Sequence, residues 1–257
     1  MDPLFSLQDK TAIVTGSTRG IGLAIAQAYA RAGARVVISS RKAEACEAVA
    51  AQIREAGGQA LAVPCNIADK AQVHALVDRT EAAFGAVDVL VCNAAVNPYY
   101  GPMSGISDEA FRKVLDVNIL SNLWLTNRVA PGMAARGGGA IVIISSIAGF
   151  SGSRMLGAYA VSKAADMQMV RNLAMEWGKQ GIRANCIAPG LVKTDFAKAL
   201  WDNPDTLGRV LAASPLGMIG EPEDISGAAL LLGSPAGRFI TGTTITIDGG
   251  AMLRGDV

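Results

Sequence analysis

Seven short runs rich in aliphatic and β-branched residues recur along the chain, and the stretches between most of them are patterned as helices. The runs are TAIVT (11–15), ARVVISS (34–40), ALAVPC (60–65), VDVLVC (87–92), AIVIIS (140–145), IRANCIA (182–188) and TTITID (243–248), with Ala-rich segments such as GLAIAQAYARAG and AEACEAVAAQIREAG between them. A repeated strand, helix, strand order implies parallel pairing through right-handed crossovers, with helices on both faces of the sheet. The runs are continuously hydrophobic rather than alternating, as strands covered on both sides are. The expected fold is α/β, a doubly wound parallel sheet of about seven strands, formed by residues 1–257 as a single domain. NPYYGP (97–102) and RGGGA (136–140) read as loops, and DFAKALWDNPDTLGRVLAASPLG (195–217) as an insertion of short helices.

Charge narrows the partners. Charged residues are 18% of the chain and the net charge is +1, so no long-range field recruits nucleic acid or an anionic membrane. The apolar runs IVII (141–144) and AALLL (228–232) are far too short to span a bilayer. The amino terminus, MDPLFSLQDK, lacks the basic-then-apolar order of a signal peptide. A cytoplasmic protein with a small-molecule substrate is expected, without nucleic-acid or membrane partners. Cys46, Cys65, Cys92 and Cys186 are scattered among apolar neighbours with no C-x-x-C pair, as reduced core thiols are. His74 is the only histidine, in the helix-patterned stretch AQVHALVDRTEAAF. A zinc dehydrogenase or a Ser-His-Asp hydrolase needs imidazoles that this chain lacks, so no metal is expected and proton chemistry falls to another group.

The first run passes directly into TGSTRGIG (15–22), which opens the first helix. In that context Gly16 permits the tight turn, Gly20 lets a phosphate approach the backbone, and Gly22 allows close helix–strand packing, with the anion at the helix N-terminus. Ser17, Thr18, Arg19 and Ile21 complete this turn as cofactor contacts. The spacing is G-x-x-x-G-x-G rather than G-x-G-x-x-G, and its place after the first strand makes the sheet Rossmann-type. The second run ends in Ser39-Ser40-Arg41-Lys42, where a NAD enzyme usually carries an acid for the ribose 2′-hydroxyl. Ser40 instead offers a hydroxyl, and Arg41 and Arg19 offer planar, charge-assisted donors to a 2′-phosphate. NADP(H) is expected in preference to NAD(H).

GAYAVSK (157–163) sets Tyr159 and Lys163 four positions apart, one turn apart on one face of a helix. Alone, such a pair occurs on many solvated helices. Here it accompanies TGSTRGIG, CNAA (92–95), DVNI (116–119), ISS ending at Ser146, and APGLVKT (188–194), and Ser146 precedes Tyr159 by thirteen positions. With these pieces in this order, the chain resembles the short-chain dehydrogenase/reductases over nearly its whole length. The resemblance implies a catalytic tetrad of Asn118, Ser146, Tyr159 and Lys163, with Asn93 and Ala94 flanking the cofactor and Asn66 and Ile67 at its adenine end. It implies that Pro189, Gly190, Val192 and Thr194 hold the nicotinamide carboxamide, that Lys163 also holds the nicotinamide ribose, and that the protein is a homotetramer. NAA at 93–95 replaces the family's more frequent NAG, which adds a Cβ near the cofactor. More narrowly, SSRK, NAAVNPYYGP, IISSIAGFS, APGLVKTDFAKALW and GEPEDISG resemble NADPH-dependent carbonyl and retinol reductases of peroxisomes, although this chain ends RGDV rather than in a Ser-Lys-Leu-like tripeptide.

Reducing a ketone takes a hydride to carbon and a proton to oxygen, and a nicotinamide supplies only the hydride. A tyrosine can handle the proton if its pKa falls from roughly 10 toward neutrality, a shift of about 4 kcal/mol. A nearby cation supplies roughly 1–3 units of that, which is the reason to place Lys163 beside Tyr159. By resemblance, Ser146 donates a hydrogen bond to the carbonyl oxygen, and Asn118 anchors a water leading protons from Lys163 to solvent. Val96, Asn97, Tyr99, Tyr100 and Phe150, then Met155, Leu191, Phe196, Leu200 and Trp201, lie on loops expected to surround the substrate with Ser146 and Tyr159. They suit an apolar, aromatic or cyclic compound, with 195–217 as a lid. Two alternatives stand beside this NADP(H)-dependent alcohol dehydrogenase or carbonyl reductase. One is a 3-oxoacyl-carrier-protein reductase, for which Arg128, Arg136 and Arg171 are the candidate docking cations; the other is a non-catalytic cofactor sensor.

Overall fold

The structure, a computed structural model, describes residues 2–253; the terminal RGDV (254–257) lies outside them. All seven apolar runs form strands. In chain order the elements are β1 (Thr11–Thr15), α1 (Gly20–Arg31), β2 (Arg35–Ser39), α2 (Ala43–Glu55), β3 (Gln59–Ala62), α3 (Lys70–Phe84), β4 (Val89–Cys92) and α4 (Asp108–Leu115). They continue with α5 (Ser121–Ala135), β5 (Gly139–Ile144), α6 (Gly157–Trp177), β6 (Ile182–Pro189), α7 (Lys198–Trp201), α8 (Pro204–Ala213), α9 (Pro222–Gly233) and β7 (Thr244–Ile247).

The strands make one parallel sheet in the order β3-β2-β1-β4-β5-β6-β7. Because successive side chains of a strand point to opposite faces, each strand feeds two cores. Val14, Val36, Val91, Val142 and Ile187 pack with α1, α2 and α9 through Ile25, Tyr29, Ile53 and Leu232. Their neighbours Ile13, Val37, Leu90, Ile143 and Cys186 pack with α3, α5 and α6 through Leu76, Leu125 and Val170. The continuous hydrophobicity of the runs is thus the signature of two buried faces. All four cysteines are buried free thiols, and no described helix is long and apolar enough to cross a membrane.

The strand order reverses at β1 and β4, so the two crossovers leave in opposite directions and open a crevice at the carboxyl ends of these strands. In register, Ala12 faces Val89 and Val14 faces Val91, which brings Thr15 beside Asn93. The stretch from 108 to 135, helical in its sequence pattern, is interrupted by a π-helical turn at Asp116–Leu120 that carries Asn118. A π turn inserts an extra residue into the helix and rotates the turns beyond it, a feature frequent at functional sites.

Candidate active site

Every strand end that meets the crevice contributes to its walls. Thr15 holds the switch point together: its hydroxyl accepts from Asn93 N (3.0 Å) and Ala94 N (3.1 Å), while Asn93 Nδ2 donates to the carbonyls of Thr15 (2.9 Å) and Gly16 (3.3 Å). Gly16 and Gly20 take positive φ values of 66° and 54°, a region side chains disfavour. A Cβ on Gly22 would fall 2.5 Å from Asn93 Nδ2 and from the Gly16 carbonyl oxygen. The turn presents the N-terminus of α1, whose first N–H groups lack helical partners, to the crevice. These features fit a dinucleotide phosphate.

The expected cofactor residues divide into those facing the crevice and those bracing it. Ser17 is buried and accepts from Ser39 N at 2.9 Å, tying the turn to β2; Asn93 is likewise a brace. Arg41 is exposed just beyond β2, and Ser40 Oγ lies 3.3 Å from Cys46 Sγ. Thr18 and Ile21 are half-buried in the turn. Arg19 is exposed and paired with Asp195 across the crevice at 3.1 Å, a partner 176 residues away that no local pattern announces. Asn66 is exposed, and Ile67 packs against the α3 side of the core. Pro189 ends β6, Gly190 N donates to the Ile247 carbonyl at 2.8 Å, and Val192 is buried. The Thr194 methyl sits over Gly20, and its hydroxyl caps the turn at Asp195–Ala197.

Ser146 follows β5, and Tyr159 and Lys163 occupy the first two turns of α6. Two contacts dock that helix: Ser145 Oγ donates to the Lys163 carbonyl at 2.7 Å, and Gly149 lies so close that a Cβ there would meet Ala164 N at 2.8 Å. The Lys163 ammonium is buried, 5.6 Å from the Tyr159 ring centroid. It donates to the Ile144 carbonyl (2.8 Å) and to Asp166 Oδ2 (3.1 Å). Burial pushes Lys163 down, but the Asp166 carboxylate and Tyr159 beside it outweigh burial, so the ammonium is held above its ordinary pKa of 10.5. Asn118 is fully buried; its side chain accepts from Val96 N (2.8 Å) and donates to the Val96 carbonyl (3.0 Å) and Ser162 Oγ (3.0 Å). It clamps the loop after β4 to α6. Sequence reasoning gave no role to Thr15, Ser145, Ser162, Asn122 or Asp166: Thr15 and Ser145 work through partners distant in the chain, and Ser162, Asn122 and Asp166 through bonds between α6 and the 118–122 stretch, 44 residues apart.

The residues expected around the substrate differ in exposure. The Phe196 ring stands 6.0 Å from that of Tyr159, tilted by 43°. Phe150, Met155 and Phe196 are exposed, while Val96, Asn97, Leu191, Leu200 and Trp201 are half-buried. Trp201 Nε1 donates to the Thr194 carbonyl at 2.8 Å. Tyr99 instead braces its own loop, donating to the Pro102 carbonyl at 3.0 Å, and Tyr100 is exposed.

With this geometry in view, the comparisons with known proteins are decisive. The profile of a family described as enoyl-(acyl carrier protein) reductase matches residues 16–252. A dehydrogenase/reductase SDR family member 4 from Oryctolagus cuniculus is 41% identical over 248 residues, covering 96% of this chain and 95% of its own. The chain is a short-chain dehydrogenase/reductase. Among solved members of the family, a 7α-hydroxysteroid dehydrogenase complexed with NADH and 7-oxo glycochenodeoxycholic acid superposes with a TM-score of 0.94 at 38% identity, over 97% of both chains. A gluconate 5-dehydrogenase from Burkholderia cenocepacia J2315, in complex with NADP and tartrate, gives a TM-score of 0.93 at 33% identity, again over 97% of both chains. This short-chain dehydrogenase/reductase is therefore an oxidoreductase with the family's seven-stranded parallel sheet.

Proposed function

We propose that the protein interconverts a secondary alcohol and a ketone using NADP(H), with Tyr159 as acid and base. The observation that carries this reading is the buried Lys163 ammonium beside the Tyr159 ring, at the edge of a crevice built for a dinucleotide. The cofactor, when bound, supplies or accepts the hydride. In the reductive direction Tyr159 gives its phenolic proton to the carbonyl oxygen, and in the oxidative direction it takes the proton back. Ser146 donates a hydrogen bond to that oxygen as it gains charge. Lys163 stabilises the phenolate left behind by its charge. The Asn118 carbonyl accepts from Asn122 Nδ2 at 2.8 Å and keeps a second lone pair for a water leading protons outward.

Gly16, Gly20 and Gly22 with the α1 N-terminus hold the pyrophosphate, and Ala94 with the 189–194 segment lines the nicotinamide end. One relative was solved with NADH and another with NADP, so the preference for NADP(H) rests on this chain's own residues. No carboxylate occurs in Ser39-Ser40-Arg41-Lys42, and Arg41 is exposed and available to a 2′-phosphate. The apolar wall of Phe150, Met155, Leu191, Phe196 and Trp201 favours a cyclic, apolar substrate, in keeping with the steroid ketone bound by the 7α-hydroxysteroid relative. The Phe196 ring, 6.0 Å from that of Tyr159, supports reading 195–217 as the lid. The carrier-protein alternative needs free cations; of its three candidates Arg128 is paired with Asp78 and Glu81, while Arg136 donates to the Val87 carbonyl and Arg171 to Gln168 Oε1, so two of the three keep their charge uncompensated. Exposed Leu123 on α5, with Val161 and Met175 on α6, supports a homotetramer; light scattering at four times 26.5 kDa agrees with it, and a monomer contradicts it.

Absorbance at the reduced-nicotinamide band, followed with cyclic ketones and the matching alcohols, tests the reaction. Ketone-dependent oxidation of NADPH, faster than that of NADH, is expected. Dinucleotide binding without turnover across the panel reduces the protein to a cofactor sensor.

A further inference from the structure

We infer that Asp166 is a positioning residue for Lys163: its carboxylate is the counter-ion that keeps the buried ammonium charged and fixes where it points. This deepens the proposed reaction and rests on the reading of Lys163 as the partner of Tyr159. Lys163 is 3% exposed and Asp166 0%, so neither charge has water as its partner. Removing one member of such a pair leaves the other uncompensated. An ammonium carries three N–H donors. Lys163 commits one to the Ile144 carbonyl and one to Asp166; among the described residues the third has no acceptor, which leaves a single donor for a further partner.

Asp166 is itself held. Its Oδ1 accepts from Asn122 Nδ2 at 3.1 Å, and the same amide donates to the Asn118 carbonyl at 2.8 Å. The carboxylate thus ties the lysine on α6 to the π turn that carries Asn118. The other titratable groups facing this pocket are Tyr159 on α6, Cys92 from β4 and Cys186 from β6, with Arg171 further along α6 acting on Cys186. Burial pushes both thiols well above their ordinary range, so at neutral pH neither supplies a negative charge. Burial pushes the Asp166 carboxyl up as well, against the pull of Lys163 and Asn122, but at 3.1 Å from the ammonium it is the carboxylate placed to balance Lys163.

Lysine labelled with carbon-13 at Cε reports the charge directly, with the Lys163 signal assigned by its loss in Lys163→Met. In the intact protein the signal stays at the ammonium position through about pH 10. In Asp166→Asn its midpoint moves down by about one pH unit or more, at least a tenfold change in the ionisation constant. An unchanged midpoint in folded Asp166→Asn overturns the inference. If that variant does not fold, the double variant Lys163→Met/Asp166→Leu decides: recovered folding supports the counter-ion role, and continued failure overturns it in favour of a purely structural bond to Asn122. The readout does not use turnover, so an intact protein that oxidises no alcohol sinks the proposed reaction and leaves this titration to judge Asp166.

Discussion

Arg41 and Arg19 carry like charges near the same crevice, yet the structure gives them different standing. Arg19 is engaged by Asp195 at 3.1 Å, with both side chains about two-thirds exposed, where an ion pair contributes little. Arg41 has no carboxylate partner among the described residues and lies just beyond β2, where a 2′-phosphate is read, so it is the residue on which to test the discrimination between cofactors. Replacing it with an acid, Arg41→Asp, removes a donor to the 2′-phosphate and adds a repulsive charge. Affinity for NADPH is expected to fall at least tenfold more than affinity for NADH, read by titrating each reduced cofactor by fluorescence. Equal losses for the two contradict the assignment of Arg41. Sequence showed the absence of an acid at 39–42 but not the engagement of Arg19, because Asp195 is 176 residues away.

At the scale of elements, the site depends on how α6 docks on the end of β5. Gly149 allows that approach, since a Cβ there would lie 2.8 Å from both Ala164 N and Lys163 C. Backbone on both sides cannot give way cheaply, so Gly149→Ala is expected to cost about 1–3 kcal/mol of stability. It should also part Ser146 from Tyr159, lowering kcat by about tenfold or more while NADPH binding at the distant glycine turn is kept. Urea unfolding and steady-state kinetics check this, and wild-type values for both contradict it. The strands themselves were legible because two covered faces force hydrophobicity at every position. Their ends were less so: the apolar run at 60–65 outlasts its strand, β3, which closes at Ala62, although Val63 N and Cys65 N still donate to the Ile38 and Ser40 carbonyls at 2.9 Å. The π turn at 116–120 left no sequence mark, since Asn118 is one polar residue among several between 112 and 128. Asp166 was illegible for a related reason: an isolated acid on a helix normally faces water, and only the packing of α6 through Met167, Val170 and Leu173 turns it inward.

Taken as a whole, the molecule buries titratable groups that make its stability depend on alkaline pH. Burial, with Asp69 nearby, pushes the Cys65 thiol up to about 11, and burial drives Cys92 and Cys186 further up. A thiol whose folded value is raised stabilises the fold fully below the ordinary value of 9.0, and that stability is lost as pH rises above it. The unfolded chain then releases protons that the folded chain keeps, at about 1.4 kcal/mol per pH unit for each thiol. Urea midpoints are expected to fall steadily from about pH 8.5 upward; a flat profile to pH 10.5 contradicts the burial of these thiols.

The central claim is that the hydroxyl of Tyr159 moves the proton in a nicotinamide-dependent reaction, and Tyr159→Phe tests it by deleting that oxygen while leaving the ring against Phe196. With a ketone that the intact protein reduces, NADPH oxidation by this variant is expected to fall by at least about 100-fold, while NADPH binding followed by fluorescence stays within a few-fold. Turnover within a few-fold of the intact protein contradicts the account.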